Sequence, residues 1–489
     1  MDGSLWLVFD IGTSGVKAAL IRGDGTIRAT VVENFPTHSA DGGVMEQNAG
    51  DWWTGIVTAS QAFGDLRSDV GAICVTGQMQ DLILLDGNGM PTGPVILYSD
   101  TRAKAEAADI IGKVGADRLL ALTGNEQGAD SLWAKLLWVQ RHQPSRWEQA
   151  RILLFGAADY AAFRLTGEAV TDTTTASTTG LLDIRTRRWL EPSVLAEMDI
   201  AAMVPLLPAV VPGGAQIGIL REDAARTLGI PAGLPVYHSP GDAGSTTIGA
   251  GSGESGRAYG YLGTSGWVGF TADNPGAPAQ GVFTLAHPRA GQFMQVAPLL
   301  TAGGNLEWVR ELFGQPDYTG VIGEAVARPI SGVIYLPYLN GERAPFVDPL
   351  ARAAFIGMSP GTTRADLTRA VLEGVAFAYR HALDTLMTEP LSRLILTGGG
   401  TRSGAWCQMF ADILNVPIVL VEDAENVALR GAFVSAQVAL GSRADYALVA
   451  ADSDGAILAP NSALSATYTR KYAVYRAAYP ALKTLFSMG

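Results

Sequence analysis

The chain has 489 residues, of which 48% are hydrophobic and 17% charged, with 58 Gly, 25 Pro and a net charge of −12. This length exceeds what one compact core usually accommodates, so we expect two domains, and the glycines predict many tight turns rather than a fibrous or disordered chain. The negative charge argues against nucleic-acid binding, which needs a basic surface, but it does not exclude a small nucleotide.

The cysteines and apolar segments indicate a reducing compartment. Cys74 and Cys407 both lie in apolar stretches, as expected of buried thiols. The apolar run at the N-terminus is short and interrupted by Asp10, and no apolar span reaches membrane-crossing length. We therefore expect a cytoplasmic protein with no membrane or nucleic-acid partner. The oligomeric state is open, with a homodimer as one candidate.

The first part of the chain predicts strands joined by tight turns. Leu5–Phe9, Val16–Ile21 and Thr26–Val32 read as three strands, with glycine-rich turns between them. Asp51–Phe63 has helical spacing of apolar residues, and Ala72–Val75 has the length of a buried strand.

Later segments add helices and two further strands. Leu132–Val139 is amphipathic, and a long helix is predicted to start at Thr363, where Asp366 completes a capping box. Inside that helix, Gly374 predicts close packing against another backbone, and Leu394–Thr397 predicts a buried strand.

The string Gly-Thr-Ser-Gly occurs twice, at Gly12–Gly15 and at Gly263–Gly266. Each copy follows a short apolar run, Leu5–Phe9 or Ala258–Leu262, that predicts a strand. A strand that ends in such a turn presents backbone N–H groups that can bind phosphate oxygens. Two such turns half a chain apart predict two similar halves that face one nucleotide. The glycine- and serine-rich stretch 244–256 offers the best boundary, which gives domains 1–246 and 247–489.

Asp10 precedes the first of these turns at the carboxyl end of its strand. Its carboxylate could hold Mg²⁺ where phosphates enter, or it could cap the turn by accepting backbone N–H groups. The presence of a second phosphate turn favours the metal role.

Asp242 follows the short apolar run Val236–His238. At a strand-to-helix junction, an Asp can accept the proton of a substrate hydroxyl that attacks phosphorus. It can equally be a helix N-cap, which on local grounds is the commoner use of Asp. His238 itself, beside the strand end, is expected to be structural.

Three further segments suit ligands, although surface loops have similar compositions. The triplet Gly398–Gly400 would let a flat base or ribose approach the backbone. The polar segments Gln78–Asp81 and Tyr98–Arg102 suit a polyhydroxylated molecule, whose hydroxyls both donate and accept. No Walker-type loop occurs, which disfavours the P-loop class.

Together these motifs resemble the FGGY carbohydrate kinases, and most closely the xylulokinase-type branch of that family. The matching strings run in the family's order through nearly the whole chain: 10–17, 77–79, 135–138, 159–160, 165–168, 241–242, 262–266, 341–345, 370–374 and 398–400.

The resemblance implies an α/β fold of two actin/hexokinase-like (ribonuclease H-like) domains, with a duplicated core around an interdomain cleft that binds ATP, Mg²⁺ and a sugar. It implies that Asp242 is the catalytic base and that Asp10, together with Asp242, serves Mg²⁺ and the phosphates. The expected nucleotide contacts are Gly12, Thr13, Ser14, Lys17, Gly263, Thr264, Gly303, Gly399 and Gly400. The expected sugar contacts are Gln78, Met79, Gln80, Tyr98 and Asp242.

Two departures concern the acceptor. Xylulokinases usually carry His where this chain has Gln80, and Asn where it has Ala243. In addition, Asp130 and Leu132 replace the usual small or hydroxyl residues before Lys135. We therefore expect an ATP-dependent kinase for a small sugar such as the pentulose D-xylulose. Another ketose, a polyol such as erythritol or arabitol, or gluconate stays open, as do a nucleotide-binding scaffold of the actin type and a sugar-sensing regulator.

Overall fold

The computed structural model describes residues 4–276, 281–315, 317–387, 390–421, 423–447 and 456–488. Mixed sheets covered by helices form two halves, the first built from strands before residue 240 and the second from strands after residue 257. This is the two-domain actin/hexokinase-like fold that the motifs imply.

The strands, in chain order, are β1 (Leu5–Ile11), β2 (Gly15–Ile21), β3 (Ile27–Asn34), β4 (His38–Ala40), β5 (Val44–Gln47), β6 (Val70–Gly77), β7 (Met79–Leu85), β8 (Val95–Ile96), β9 (Ile152–Gly156), β10 (Val170–Asp172), β11 (Leu182–Asp183), β12 (Arg188–Trp189), β13 (Ala209–Val211), β14 (Ala215–Ile219), β15 (Pro235–His238), β16 (Ala258–Leu262), β17 (Gly266–Ala272), β18 (Phe283–Ala286), β19 (Phe293–Leu299), β20 (Ile334–Leu336), β21 (Ala354–Ile356), β22 (Leu394–Thr397), β23 (Ile418–Leu420) and β24 (Ile457–Leu458).

The helices are α1 (Ala49–Ala62), α2 (Lys104–Val114), α3 (Ala116–Thr123), α4 (Leu132–His142), α5 (Pro144–Gln149), α6 (Ala157–Thr166), α7 (Thr173–Thr178), α8 (Pro192–Glu197), α9 (Glu222–Leu228), α10 (Asp242–Thr247), α11 (Gly303–Leu312), α12 (Tyr318–Ala327), α13 (Arg364–Leu386), α14 (Gly404–Leu414), α15 (Val427–Ala439) and α16 (Ser465–Phe486). Short 3₁₀ turns occupy Gly64–Asp69, Ala201–Leu206, Gly399–Arg402, Ala424–Asn426 and Ser462–Leu464, and a wider π turn, Ile248–Ser252, continues α10.

The two large sheets repeat one topology, which is the physical form of the duplicated core. The first has the order β14-β15-β6-β1-β2-β3 and the second the order β18-β19-β17-β16-β22-β23-β24. In each, the strand before the Gly-Thr-Ser-Gly turn pairs antiparallel with the strand after it and parallel with a later strand on its other side. The two turns therefore occupy equivalent positions in the two halves.

The elements predicted from spacing are confirmed, with ends that differ by a few residues. The strand Ala258–Leu262 and the strand Leu394–Thr397 have the predicted bounds. Thr363 and Asp366 form both hydrogen bonds of a capping box at the start of α13. A Cβ on Gly374 would lie 3.1 Å from the ring of Tyr335 and closer still to its carbonyl oxygen, so the glycine does mark close packing.

Helix α15 of the second half covers the first sheet and joins the two halves. Its apolar residues, such as Leu429 and Phe433, share a core with Trp6 and Val8 of β1. Where α15 crosses the segment after Asp242, a Cβ on Gly431 would overlap the carbonyl oxygen of Ser245. Such close backbone approach is available only to glycine.

Both cysteines are buried, as predicted. In the part of the chain that the structure describes, no helix combines the length and the apolar character that crossing a membrane requires.

Candidate active site

Asp10 lies near the carboxyl end of β1, where it pairs in register with Lys17 of β2 and Thr76 of β6. Its Oδ1 is shielded from solvent and has no hydrogen-bond partner among the described residues. Burial raises the pKa of Asp10 to about 6, although the charge of Lys17 acts in the opposite direction. No capping bond from Asp10 to the turn is found in the described part, so the capping alternative has no support there.

Asp242 is the first residue of α10, and the N-cap position belongs to Gly241. Its Oδ1 accepts a 2.7 Å hydrogen bond from the Ala243 N–H and caps no later residue in the described structure. Burial, followed by the charge of Asp10, raises the pKa of Asp242 to about 7. The N-cap alternative therefore does not describe this residue, and its pKa suits a base that works near neutral pH.

The sheet brings these two carboxylates together. Strands β1, β6 and β15 are parallel neighbours, so the residues that follow them meet at one edge. Thr76, at that edge of β6, is opposite Asp10 in register and donates a 2.6 Å hydrogen bond to the carbonyl of Pro240. This bond ties the turn before Asp242 to the strand beside Asp10.

A buried ion pair supports the same turn from behind. His238 approaches Asp159 at 2.8 Å through Nε2, and its Nδ1 donates to the carbonyl of Ser239 at 2.9 Å. Burial alone lowers the pKa of His238, but the hydrogen bond and charge of Asp159, aided by Asp172, raise it above its ordinary value. Although Asp159, Asp172 and His238 are close enough to hold a metal, both ring nitrogens face acceptors, which is the pattern of an imidazolium. The expectation of a structural His238 agrees with this arrangement.

A cavity of ≈ 1190 Å³ lies in the second half of the molecule. Its walls include all five residues predicted there as nucleotide contacts, namely Gly263, Thr264, Gly303, Gly399 and Gly400. The N–H of Gly303 donates to the carbonyl of Gly263 at 2.7 Å, and a Cβ on Gly303 would lie 2.6 Å from that oxygen. Trp308 and Tyr318 add aromatic surface at the same cavity. Its size and mixed lining suit a nucleotide.

The first Gly-Thr-Ser-Gly turn does not line this cavity, and polar contacts from other segments hold it in place. Its Thr13 carbonyl accepts a 2.6 Å hydrogen bond from Gln47 Nε2, and its Thr13 hydroxyl lies 3.4 Å from the hydroxyl of Tyr98. Ser14 is exposed at the tip of the turn, and Lys17 Nζ donates to the carbonyl of Glu425 in the second half. Gly12 closes the turn with a 3.0 Å bond from its N–H to the carbonyl of Gly15.

Besides Asp242, the four other residues predicted to touch a sugar take different places. Gln78 is buried and its Nε2 donates to Gln47 Oε1 at 2.9 Å, so it stands behind the surface of the site. Met79 packs on Gly241, next to Asp242. Gln80 has a φ of 64° and donates to the carbonyl of Asp130 at 3.2 Å. Tyr98 is 41% exposed.

Gln47 is a site residue that sequence reasoning did not single out. It connects the first phosphate turn to Gln78 and also accepts a 2.9 Å hydrogen bond from the indole of Trp52. The available sequence signal was the position of Gln47, five residues before Trp52. Its other partners, Thr13 and Gln78, are distant in the sequence and could not be predicted from it.

A second buried pair that the sequence did not reveal is Asp81 and Lys135. Burial raises the pKa of Asp81 well above its ordinary value, whereas the charge of Lys135 acts in the opposite direction. Burial also lowers the pKa of Lys135 to about 8, and its Nζ donates to the carbonyl of Leu97 at 2.7 Å. This pair fixes the segment that leads to Tyr98, whose N–H donates to Asp81 at 3.1 Å.

Comparison with known proteins agrees with this geometry. Residues 5–249 match the N-terminal domain of the FGGY family of carbohydrate kinases, and residues 258–440 match its C-terminal domain. A xylulose kinase from Klebsiella pneumoniae is 32% identical over 448 residues, which cover 90% of this chain and 91% of that protein.

Two solved structures are similar over their whole length. A ligand-bound xylulose kinase from Lactobacillus acidophilus has a TM-score of 0.91 at 26% identity and covers 99% of each chain. A gluconate kinase from the same organism has a TM-score of 0.90 at 26% identity and covers 99% of this chain and 100% of that one.

Proposed function

The chain belongs to the FGGY family of carbohydrate kinases, phosphotransferases that act on a sugar hydroxyl with ATP as donor, and we propose that its acceptor is a pentulose, D-xylulose in the first place. The observation that carries the proposal is the pair Asp10 and Asp242, which the parallel strands of the first sheet bring to one edge. The xylulose kinases among its relatives support D-xylulose as the acceptor.

In the proposed reaction, Asp242 accepts the proton of a terminal acceptor hydroxyl while that oxygen attacks the γ-phosphorus and ADP leaves. A carboxylate with a pKa of about 7 accepts this proton more readily than an ordinary exposed Asp would. Asp242 retains the Ala243 N–H as a partner for one oxygen, which leaves the other free to face the hydroxyl.

Asp10 and Asp242 are proposed to hold Mg²⁺. The donor set fits, because Mg²⁺ prefers carboxylate oxygens and Asp10 presents a shielded oxygen without a partner in the described structure. Bound there, the ion would offset charge on the transferring phosphoryl group. It would also lower the pKa of both carboxyls, which burial raises.

The phosphates are proposed to lie between the two Gly-Thr-Ser-Gly turns. The N–H groups and hydroxyls of Gly12, Thr13, Ser14 and Thr264 act as donors, with Lys17 as the nearby cation. Gly303, Gly399 and Gly400 let the rest of the nucleotide lie against backbone, together with Gly263. The domains are proposed to be residues 1–246 and 247–489, and the working compartment to be the cytoplasm.

On the acceptor side, Met79 and Tyr98 are proposed to contact the sugar directly, and Gln78 to act through Gln47. Gln80 and Ala243 are proposed to set the preference among ketoses, because each replaces a residue of the xylulokinase pattern.

The test measures ADP release with a coupled assay that contains MgATP and one candidate acceptor at a time. The candidates are D-xylulose, D-ribulose, L-xylulose, D-arabitol, erythritol and D-gluconate. We expect D-xylulose to give the highest kcat/KM and no comparable ADP release without an acceptor. ADP release that does not depend on any acceptor would contradict the kinase proposal, whereas a higher kcat/KM for a polyol would replace only the named substrate. Sedimentation of the purified protein tests the remaining prediction of a homodimer.

A further inference from the structure

Asp130 and Arg343 meet from opposite halves of the molecule. Asp130 precedes α4 in the first half, and Arg343 follows β20 in the second. Their side chains approach to 3.7 Å between Oδ2 and a guanidinium nitrogen, with 30% and 40% of the two side chains exposed. The pair is therefore open to solvent.

On one side, contacts connect this pair to the residues around Asp242 through the second half. The guanidinium of Arg343 stacks over Phe283 at 4.4 Å from the ring centre. Phe283 packs on the same apolar cluster as Ala243, the residue after Asp242. Arg343 is thus placed on the acceptor side of the base.

On the other side, contacts run through the first half. Gln80 donates to the carbonyl of Asp130 at 3.2 Å and holds a left-handed φ of 64°, which is uncommon outside glycine. Met79, beside it, packs on Gly241, the residue before Asp242. Both neighbours of Asp242 in the chain therefore lead towards the pair: Ala243 shares an apolar cluster with Phe283, on which Arg343 stacks, and Gly241 contacts Met79, which precedes Gln80.

The charged side chains around Asp130 differ in their exposure to solvent. Lys135, the other nearby cation, is buried and donates to the carbonyls of Leu97 and Tyr98. Arg343 is the cation with an exposed guanidinium, and Asp130 already stands beside it.

From this arrangement we propose that Asp130 determines the charge class of the acceptor: it occupies the place beside Arg343 that the carboxylate of a sugar acid would need, and so restricts the enzyme to uncharged ketoses and polyols. A neutral acceptor can donate its hydroxyls to the Asp130 carboxylate, since a carboxylate only accepts. A sugar acid would bring a second carboxylate against Asp130 and lose Arg343 as a partner, which is specificity by repulsion. The inference rests on the proposed kinase function and names the acceptor class of that site.

The experiment compares kcat/KM for D-xylulose, or the best neutral acceptor of the panel, with kcat/KM for D-gluconate at saturating MgATP. In Asp130→Asn, we expect the gluconate-to-neutral ratio to rise about tenfold or more, because Arg343 becomes available to the gluconate carboxylate. The double variant Asp130→Asn with Arg343→Gln should lose that gain. Asp117→Asn, an exposed acid in the first turn of α3, serves as the matched control and should leave the ratio unchanged.

The outcomes separate the two proposals. A wild-type enzyme that phosphorylates a neutral acceptor, combined with an Asp130→Asn ratio within about twofold of wild type, would overturn this inference and leave the kinase function standing. A gain that persists without Arg343, or a wild-type enzyme that prefers gluconate, would also overturn it. Failure of every acceptor with the wild-type protein would overturn both. Because the Asp130–Arg343 pair is exposed, the variants should fold, and their thermal unfolding checks this.

Discussion

Asp10 and Asp242 lie at one edge of the first sheet, where burial and, after it, the charge of Asp10 raise the pKa of Asp242. Two buried carboxyls side by side make the ligand-free site unfavourable at neutral pH. A cation between them would relieve this cost. The same arrangement thus favours metal binding, and in the ligand-free site it keeps Asp242 more basic than an ordinary Asp.

The first prediction concerns stability against pH in the ligand-free protein. The folded pKa of Asp242 is about 7, above its value of 3.8 when unfolded, so the folded state retains a proton that the unfolded state releases. The free energy of unfolding should therefore fall as the pH rises from about 4 to about 7 and then level off. Asp242→Asn removes this loss and should be more stable than wild type by on the order of 2 kcal/mol at about pH 8.

Urea unfolding at about pH 4.5 and about pH 8 checks this prediction. The stability gain of Asp242→Asn should be small at the lower pH, where the wild-type carboxyl is protonated in the folded state. A gain of equal size at both pH values would show that Asp242 is not the titrating group.

The second prediction concerns the metal. Asp10→Asn removes one of the two carboxylates that are proposed to hold Mg²⁺, so the Mg²⁺ concentration for half-maximal rate should rise about tenfold or more. Thermal unfolding should lose part of the stabilisation that MgATP gives the wild-type protein. An unchanged Mg²⁺ dependence would remove Asp10 from the metal site.

The third prediction concerns Gln47. Replacement by Leu leaves the buried donors of Gln78 and Trp52 without their acceptor, and it leaves the Thr13 carbonyl with the longer 3.3 Å bond from the Thr37 hydroxyl in place of the 2.6 Å bond from Gln47. We expect a loss of about 3 kcal/mol in the free energy of unfolding and a lower kcat. The control is Gln61→Leu, since Gln61 is exposed and makes one 3.1 Å bond to the carbonyl of Thr227. Equal effects of the two changes would argue against a special role for Gln47.

The strands and the two carboxylates at the sheet edge were predictable from the sequence because local signals carry them. An apolar run that ends in glycines predicts a strand and a turn, and the spacing from Thr363 to Asp366 predicts a helix start that the structure confirms. The repeated string Gly-Thr-Ser-Gly predicted that the two halves are similar. The structure confirms this, because the two sheets share one topology and carry the string at the same turn.

Other parts of the site depend on contacts between residues far apart in the chain. Gln78 is predicted to contact the sugar, but its burial and its hydrogen bond to Gln47 could not be predicted from its neighbours in the chain. Nothing local to Arg343 indicates that it faces Asp130, since this contact forms only when the two halves meet. Similarly, the Asn125 side chain pairs with the backbone of Thr284 across the halves at 2.7 and 2.9 Å. Such contacts form only when distant parts of the chain meet, so no local sequence pattern predicts them.

The fourth prediction concerns the crossing of α15 with the segment after Asp242. A Cβ on Gly431 would overlap the Ser245 carbonyl, so Gly431→Ala should separate the two helices, destabilise the protein by about 2 kcal/mol or more, and lower kcat. Gly112→Ala is the control, because its Cβ would meet nothing within 4 Å on the exposed face of α2. That change should stabilise by about 0.5–1 kcal/mol through the unfolded state. Equal thermal shifts in the two variants would contradict close packing at Gly431.

The most direct test of the account is D-xylulose-dependent ADP release by Asp242→Asn beside the wild-type enzyme, with ATP affinity measured on both by calorimetry. Because Asp242 is assigned as the base, kcat/KM for the sugar should fall about 10²–10⁴-fold, while binding of ATP in the absence of Mg²⁺ changes by less than about twofold. A variant that retains wild-type turnover would contradict the assignment of Asp242 as the residue that takes the proton.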